Sequence, residues 1–212
     1  MGLAAGIGCT FPLMTEESRI GTPMTDEQIA EATVGAPTRL NGKVILTDPD
    51  PTWPTLYERE AARIGSILGD LVLLLEHVGS TAVPGLAAKP IIDVVLVVVD
   101  SSDEVSYLPA LEAEGYVLRI REREWFEHRL LKGPDTEINL HVFSEGAAEV
   151  DRMIAFRDHL RKDIGDRDRY AEVKQELAQY DWKYVQNYAD AKSAVIAEIM
   201  MRALGPSETP DG

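Results

Sequence analysis

Glu76-His-Val-Gly-Ser-Thr-Ala-Val-Pro-Gly-Leu-Ala-Ala-Lys-Pro-Ile-Ile-Asp93 is the stretch that determines the fold of this chain, because it sets small turn residues, a lysine and an acid between two apolar runs. The apolar runs 71–75 and 91–99 are rich in Val, Leu and Ile, which is typical of buried strands. Asp93 interrupts the second run. Aspartate is depleted in strands and costly to bury without a partner. We therefore interpret the stretch as an active-site loop between two strands.

The turn inside this stretch has the composition of an anion-binding loop. Gly79 lets backbone N–H groups approach a phosphate closely, and Ser80 and Thr81 add hydroxyl donors. Lys89 lies four residues before Asp93, between two prolines that stiffen the loop, and is predicted to hold an anionic ligand beside the carboxylate. The alternative is that Gly79 only permits the turn and that Lys89 pairs with Asp93.

Outward from the central stretch, the pattern predicts an α+β protein. A helix is expected over 55–68 before the first strand, and a second helix over 108–114 after the second strand. Three further strands and C-terminal helices then follow, giving a mixed sheet with helices on one face and a C-terminal helical subdomain. The predicted short elements are a strand over 43–47, strands over 116–120, 125–132 and 138–143, with a hairpin turn at 133–135, and helices from 148 to about 204.

Composition limits the class of partner. The 212 residues carry 36 acidic and 21 basic side chains, a net charge of −15, which disfavours binding to a nucleic acid polymer. The sequence has no apolar run of the roughly 18 to 20 residues that a membrane span needs. Cys9 is the single cysteine, which fits a reducing compartment. The expectation is a soluble, cytoplasmic protein whose ligand is a small molecule.

The chain is predicted to have one folded domain, residues 41–205, between a flexible N-terminal extension, residues 1–40, and a disordered tail, residues 206–212. Within the extension, Thr25 and Gln28 have the spacing of a capping box and predict a short helix. The extension is expected to be a tail or a strap on a neighbouring subunit, which makes a homodimer possible.

The central stretch closely resembles the signature of the GrpB family (UPF0157), which is related to the nucleotidyltransferase superfamily. Other pieces agree with that resemblance, which covers about residues 43 to 203. They are Asp48-Pro-Asp-Pro-Thr-Trp53, Asn139-Leu-His-Val142, and the pairs Tyr170 with Lys174 and Tyr188 with Lys192. The resemblance implies a nucleotidyltransferase-like mixed sheet with flanking helices and a C-terminal helical subdomain.

The resemblance also implies a function. A nucleotidyltransferase-like protein would bind a nucleotide or other small phosphorylated ligand and transfer a nucleotidyl or phosphoryl group to a small acceptor. The residues expected to hold the ligand's phosphates include Gly79, Ser80, Thr81, Lys89 and Lys192.

One position departs from the superfamily's pattern. In that superfamily the strand after the Gly-Ser loop usually carries Asp-x-Asp, whereas Val95 stands at the second position here. Since valine cannot bind Mg²⁺, two-metal transfer of the usual design is in doubt. Asn139 and His141, two residues apart, are expected to share one face of a neighbouring strand.

A divalent metal, Mg²⁺, Mn²⁺ or Zn²⁺, is the expected cofactor. His77, Asp93 and His141 form the predicted metal site, with Asp93 and His141 as the catalytic pair. Imidazole nitrogens favour Zn²⁺ or Mn²⁺ over Mg²⁺. The alternative is that both histidines are half-buried strand residues bonded to backbone carbonyls.

The densest basic segment, 119–132, contains two further predicted phosphate ligands, Arg121 and Arg129. The alternative is a strand with a solvated face, since glutamates alternate with these arginines.

Two other functions remain open at this point. The chain could be a non-catalytic accessory protein that binds a nucleotide or a CoA precursor, a hypothesis that Val95 favours. It could also be a metal-dependent hydrolase or ligase on the same fold, because a fold does not determine a reaction.

Overall fold

The computed structural model describes residues 23–204. Seven helices and seven strands alternate along this part of the chain, together with two single 3₁₀ turns at Gly69–Leu71 and Ser80–Ala82. The helices are α1 (Asp26–Ala32), α2 (Trp53–Leu68), α3 (Glu104–Ala113), α4 (Ala148–Lys162), α5 (Ile164–Leu177), α6 (Val185–Ala191) and α7 (Ser193–Leu204). The strands are β1 (Arg39–Gly42), β2 (Leu74–Val78), β3 (Ile92–Val98), β4 (Val117–Glu122), β5 (His128–Lys132), β6 (Ile138–Ser144) and β7 (Trp182–Tyr184).

Five strands form one mixed sheet in the order β2-β3-β6-β5-β4. The central pair β3–β6 is parallel, with Asp93 opposite Asn139, and the other neighbours are antiparallel. Between β3 and β6 the chain passes through α3 and the outer strands. The two strands that carry the predicted catalytic residues are therefore neighbours at the centre of the sheet. A separate two-stranded ribbon pairs β1 with β7.

Side-chain alternation gives the sheet two different faces. One face packs on α2 and α3 and is aliphatic, with Val94 and Leu96 of β3 and Leu140 of β6 all fully buried. The opposite face packs on α4 through Val95, Val97 and Phe143. Asp93 shares the parity of Val95 and Val97, so it belongs to the second face. That face carries the polar side chains discussed below.

The predicted α+β architecture, a mixed sheet with flanking helices and C-terminal helices, is confirmed. Three details differ from the sequence-based expectation. Helices cover both faces of the sheet rather than one, because α2 and α3 pack on the face away from α4. The strand expected over 43–47 lies instead at Arg39–Gly42, and the C-terminal part has three helices after α4 together with the short strand β7.

The described part of the predicted extension is structured. Thr25 caps α1 in a capping box with Gln28, as the sequence predicted. Thr33 then bridges to Ile120 of β4, and a boundary at residue 40 would cut through β1. Residues 23–42 thus pack on their own domain. The rest of the extension and the predicted tail lie outside the described residues. Between residues 23 and 204, no helix has both the length and the apolar character needed to cross a membrane.

Candidate functional site

Asp93 lies at the start of β3, on the face of the sheet that α4 covers. Asn139 Nδ2 donates a 2.6 Å hydrogen bond to Asp93 Oδ1, and His141 Nε2 lies 3.7 Å from the same oxygen. The side chains of Asp93 and His141 are 27% and 17% exposed, so solvent reaches both. Although burial opposes it, the neighbouring His141 imidazole and the hydrogen bond from Asn139 hold the pKa of Asp93 below its usual value. Asn139 and His141, which were expected to share one face, therefore both lie beside Asp93.

Gly79 is required by the position of Asp93. Its φ is +70° with ψ at −171°, a conformation that residues with a side chain rarely adopt. A Cβ on this residue would also overlap Asp93 Oδ2. The turn therefore approaches the carboxylate more closely than any other residue type permits.

Four lysine side chains, which we call the lysine cluster, lie around Asp93 and the loop that contains Ser80 and Ala87. They come from the loop before β3, from β5, from α5 and from the end of α6, and they are Lys89, Lys132, Lys174 and Lys192. Lys89, Lys132 and Lys192 each interact electrostatically with Asp93, and Lys192 with Lys174.

Each lysine is held by polar or aromatic neighbours. Lys132 Nζ donates to Asn139 Oδ1 at 2.6 Å, and Lys174 Nζ donates to Ser80 Oγ at 3.1 Å and to the carbonyl of Ala87 at 2.5 Å. The ammonium groups of Lys192 and Lys89 lie 4.9 Å and 5.9 Å from the centre of one tyrosine ring, that of Tyr188. The Tyr188 hydroxyl is buried and has no hydrogen-bond partner in residues 23–204.

None of the four ammonium groups has a carboxylate oxygen within 4.0 Å in the described part of the chain. Burial lowers the pKa of Lys89 to about 8, and the neighbouring charge of Lys192 contributes. Burial also lowers the pKa of Lys174, a residue that is only 2% exposed, to about 7. Burial likewise lowers the pKa values of Lys132 and Lys192. The cluster is therefore a positive site without an internal counter-ion pair.

Behind His141, a second histidine and a glutamate continue the polar row across the sheet. His128 Nε2 lies 3.0 Å from His141 Nδ1, and His128 Nδ1 lies 2.8 Å from Glu122 Oε2. The His128 ring is 3% exposed and stacks on Phe143. Burial lowers the pKa of His128 to about 4, against the pull of Glu122.

His77 does not join Asp93 and His141, contrary to the predicted three-residue metal site. In β2 it lies opposite Val94, on the aliphatic face, and its ring stacks on Tyr57 of α2 with centroids 4.8 Å apart. His77 Nε2 contacts Thr81 Oγ1 at 3.0 Å, and that hydroxyl donates to the carbonyl of Ile91. Burial lowers the pKa of His77 to about 4. His77 and Thr81 thus stabilise the turn from the aliphatic face of the sheet.

Arg121 and Arg129 do not reach the lysine cluster either. They lie opposite each other on β4 and β5, and both bind the carboxylate of Glu104 in α3, each with a bond of 2.6 Å. Arg129 has the opposite parity to Lys132 on β5, so its side chain lies on the other face of the sheet. These two arginines connect α3 to the sheet, and the basic residue of this strand that faces Asp93 is Lys132.

Val95, which stands where a second carboxylate was expected, is fully buried. Glu76 lies opposite it on β2, but Arg157 donates a 2.6 Å bond to this glutamate. Of Glu76 and Asp93, Asp93 is therefore the carboxylate that is not bound to an arginine. Asp93 and His141 together offer one oxygen and one nitrogen to a metal, a donor set that suits Mn²⁺ or Zn²⁺.

Elsewhere in residues 23–204, three side chains of the types that bind metals lie together. They are His159, Asp163 and Asp166, whose possible ligand atoms lie within 4.8 Å of one another. The charge of this trio is already satisfied, because Arg202 binds Asp166 through bonds of 2.5 to 3.0 Å and His159 binds it at 2.6 Å. Asp163 also caps α5.

Sequence reasoning missed Lys132, Lys174 and His128 as members of the site. Lys174 had a signal, since it lies one helical turn after Tyr170, as Lys192 does after Tyr188. In the structure each lysine lies 4.9 Å from the ring centre of its own tyrosine. The repeated Tyr-x-x-x-Lys spacing therefore marks two members of the lysine cluster.

Comparisons with known proteins agree on the family. A family model described as GrpB protein matches residues 43–202. A UPF0157 protein of Halalkalibacterium halodurans is 59% identical over 193 residues, which are 91% of this chain and 98% of that protein. The crystal structure of the conserved protein GrpB from Enterococcus faecalis has a TM-score of 0.67 and 34% identity, covering 76% of this chain and 97% of that one. A distant likeness, with a TM-score of 0.39 and 14% identity over 61% of this chain and 45% of the other, is to the Cid1 poly(U) polymerase. On the family model and the two close relatives, the chain belongs to the GrpB family.

Proposed function

We propose that this protein binds a nucleotide or another small phosphorylated ligand in the lysine cluster and transfers its nucleotidyl or phosphoryl group to a small acceptor. The observation that carries the proposal is the gathering of four ammonium groups, none ion-paired within 4.0 Å in residues 23–204, around the carboxylate of Asp93 and the Ser80 hydroxyl. Burying an uncompensated ammonium group costs several kcal/mol. An oligophosphate carries the negative charge that would compensate the cluster.

The neighbouring groups supply what a phosphate needs. Ser80 Oγ lies beside Lys174 Nζ, and the Gly79 turn brings its backbone next to Asp93. Hydroxyl and ammonium donors that converge in this way stabilise negative charge developing on a phosphate during transfer. A divalent cation held by Asp93 and His141 would add Lewis-acid activation of the same phosphate.

A second candidate is a non-catalytic protein that binds the same class of ligand, and the observation that favours it is Val95. Because a fully buried valine stands in place of the second carboxylate, the two-metal arrangement cannot form at this position. Both candidates require the lysine cluster to bind the phosphorylated ligand. They differ only in whether a product forms.

The test is thermal unfolding of the full chain with ATP, GTP, CTP, UTP and sodium tripolyphosphate, each with Mg²⁺, Mn²⁺ or Zn²⁺. A ligand at about 100 times its Kd stabilises the folded state by about 2.7 kcal/mol. Lys192→Met should weaken the binding of the best ligand roughly tenfold or more, because one charge-assisted hydrogen bond contributes about 1.5 to 3 kcal/mol. The matched control is Lys162→Met, which removes an exposed lysine at the end of α4 and should leave binding unchanged.

Failure of all five compounds with every cation would contradict the proposal, as would equal losses in Lys192→Met and Lys162→Met. Product analysis with the best ligand then separates the two candidates. Release of pyrophosphate or of a nucleoside diphosphate together with a modified acceptor supports transfer, and an intact ligand after long incubation supports the binding protein.

A further inference from the structure

A row of four polar side chains crosses the sheet from its edge to Asp93. It runs from Glu122 on β4 through His128 on β5 and His141 on β6 to Asp93 on β3. The successive distances are 2.8 Å, 3.0 Å and 3.7 Å. The first two are hydrogen bonds, and the third is longer than one.

The chemistry of the row determines which nitrogen carries each proton. A carboxylate only accepts, so His128 Nδ1 must donate to Glu122. A neutral imidazole has one proton, and therefore His128 Nε2 has a lone pair and accepts from His141 Nδ1–H. His141, once its proton is on Nδ1, has a lone pair on Nε2.

This lone pair points at a second electron donor. His141 Nε2 and Asp93 Oδ1 lie 3.7 Å apart, and neither has a proton to share in this arrangement. Asp93 is held in place by a separate row, in which Lys132 donates to Asn139 and Asn139 donates to Asp93 Oδ1 at 2.6 Å. The lone pairs of His141 Nε2 and Asp93 Oδ1, fixed in this way, repel each other unless a cation lies between them.

We propose that Glu122 and His128 are positioning residues, which hold His141 protonated at Nδ1 so that its Nε2 and the Asp93 carboxylate bind one divalent cation. This inference deepens the proposed function and rests on it in one respect, since oxygens of the phosphorylated ligand complete a coordination shell to which the chain contributes two atoms. Partners behind a histidine ligand set its tautomer and orientation in metal sites generally. The mixed nitrogen and oxygen donors favour Mn²⁺ or Zn²⁺ over Mg²⁺.

The chain has four histidines, so their protonation can be read directly from long-range ¹H–¹⁵N spectra of the full chain. His→Gln variants assign each ring. The expected result near pH 7.5 is His141 with its proton on Nδ1 and a change at His141 Nε2 when Zn²⁺ is added with tripolyphosphate. A proton on Nε2 of His141, or on both nitrogens, overturns the proposal.

Breaking the row tests the role of the positioning residues. His128→Phe keeps an aromatic ring against Trp125 and Phe143 while removing the acceptor for His141 Nδ1–H. The expected result is a shift of the His141 proton to Nε2, toward Asp93, and a ten- to hundredfold loss of Zn²⁺ affinity. Unchanged affinity overturns the proposal. His159→Gln, which alters the trio with Asp163 and Asp166, is the control and should leave this affinity unchanged.

Glu122→Leu provides a second variant, and unchanged His77 and His159 signals show whether either variant is folded. Leucine offers His128 Nδ1 neither an acceptor nor a donor, so the preference for a proton on that nitrogen is lost and the His141 proton should be shared between Nδ1 and Nε2. A Glu122→Leu protein with wild-type tautomers and wild-type Zn²⁺ affinity contradicts the role of Glu122.

The two proposals fail separately. If no nucleotide and no tripolyphosphate binds, but His141 keeps its Nδ1 proton and Zn²⁺ binds at Nε2 alone, the proposed function is wrong and the positioning role stands. If the phosphate compounds bind through the lysine cluster while Zn²⁺ leaves the His141 signals unchanged, the reverse holds.

Discussion

The face of the central sheet toward α2 and α3 and the lysine cluster on the opposite face treat buried charge in different ways. On the face toward α2 and α3, each buried or half-buried charge is neutralised. Arg121 and Arg129 share Glu104, and the fully buried Glu60 pairs with Arg59 at 3.6 Å and Arg63 at 3.4 Å. On the face toward α4, the lysine cluster surrounds Asp93 without an ion pair within 4.0 Å in residues 23–204.

Under the proposed function, this difference separates charges that stabilise the fold from charges held for a ligand. Removing one partner of a buried pair leaves an uncompensated charge and is strongly destabilising. A charge that is already uncompensated lowers the stability of the ligand-free protein, so its removal should not have that effect. The comparison therefore predicts opposite responses on the two faces.

The largest expected effect is on the paired face. Glu104→Gln keeps the shape of the side chain but leaves Arg129, which is 3% exposed, with the partly exposed carboxylate of Glu127 alone. We expect the free energy of unfolding to fall by about 3 kcal/mol, measured by urea denaturation. The control is Glu198→Gln, since Glu198 and Arg202 form an exposed pair at 3.1 Å that contributes less than about 1 kcal/mol. Equal losses in the two variants would remove the distinction between the faces.

Gly79→Ala should have an intermediate effect at the edge of the lysine cluster. The unfavourable backbone conformation and the overlap with Asp93 together should cost about 2 kcal/mol. Gly146→Ala measures the backbone part alone, because φ is +79° there and nothing lies within 4 Å of the added Cβ. A loss in Gly79→Ala no greater than that in Gly146→Ala would show that Asp93 moves aside without cost.

The smallest effect, taken per pH unit, is a dependence of stability on pH. Lys174 and Lys89 have pKa values of about 7 and about 8 in the folded chain, below the usual value of a lysine. Between pH 7 and 9 the unfolded chain therefore binds more protons than the folded chain, and the free energy of unfolding should rise with pH, on the order of 1 kcal/mol per pH unit. Urea denaturation at several pH values measures the slope, which should be shallower in Lys174→Met. A free energy of unfolding that falls from pH 7 to 9 would mean that these lysines are compensated.

The sequence was sufficient for the centre of the sheet because the signals there are strong and local. Apolar runs predicted β2 and β3, and period two placed Asn139 and His141 on one face. The parallel register of β3 with β6 then brings Asp93 opposite Asn139. The turn at Gly79 was predicted from residue type alone.

The remainder of the site depended on information that one strand does not contain. Which face His77 occupies follows from its register opposite Val94, and alternation within β2 does not fix that register. On β5, Leu130 and Leu131 are both buried, so hydrophobic pattern alone could not decide between Arg129 and Lys132. The three-residue strand β7 is too short to show any period.

The ribbon of β1 and β7 has a practical consequence for shortened versions of this protein. The family match starts at residue 43, just after β1 ends, yet β1 is the strand with which β7 pairs in residues 23–204. β7 leads directly into α6, which carries Tyr188 and ends at Lys192. A chain trimmed to the matched range, residues 43–202, would leave β7 without its partner strand and loosen the helix that places Lys192 in the lysine cluster. Weak ligand binding by such a fragment would be an effect of the truncation and would not measure the affinity of the longer chain.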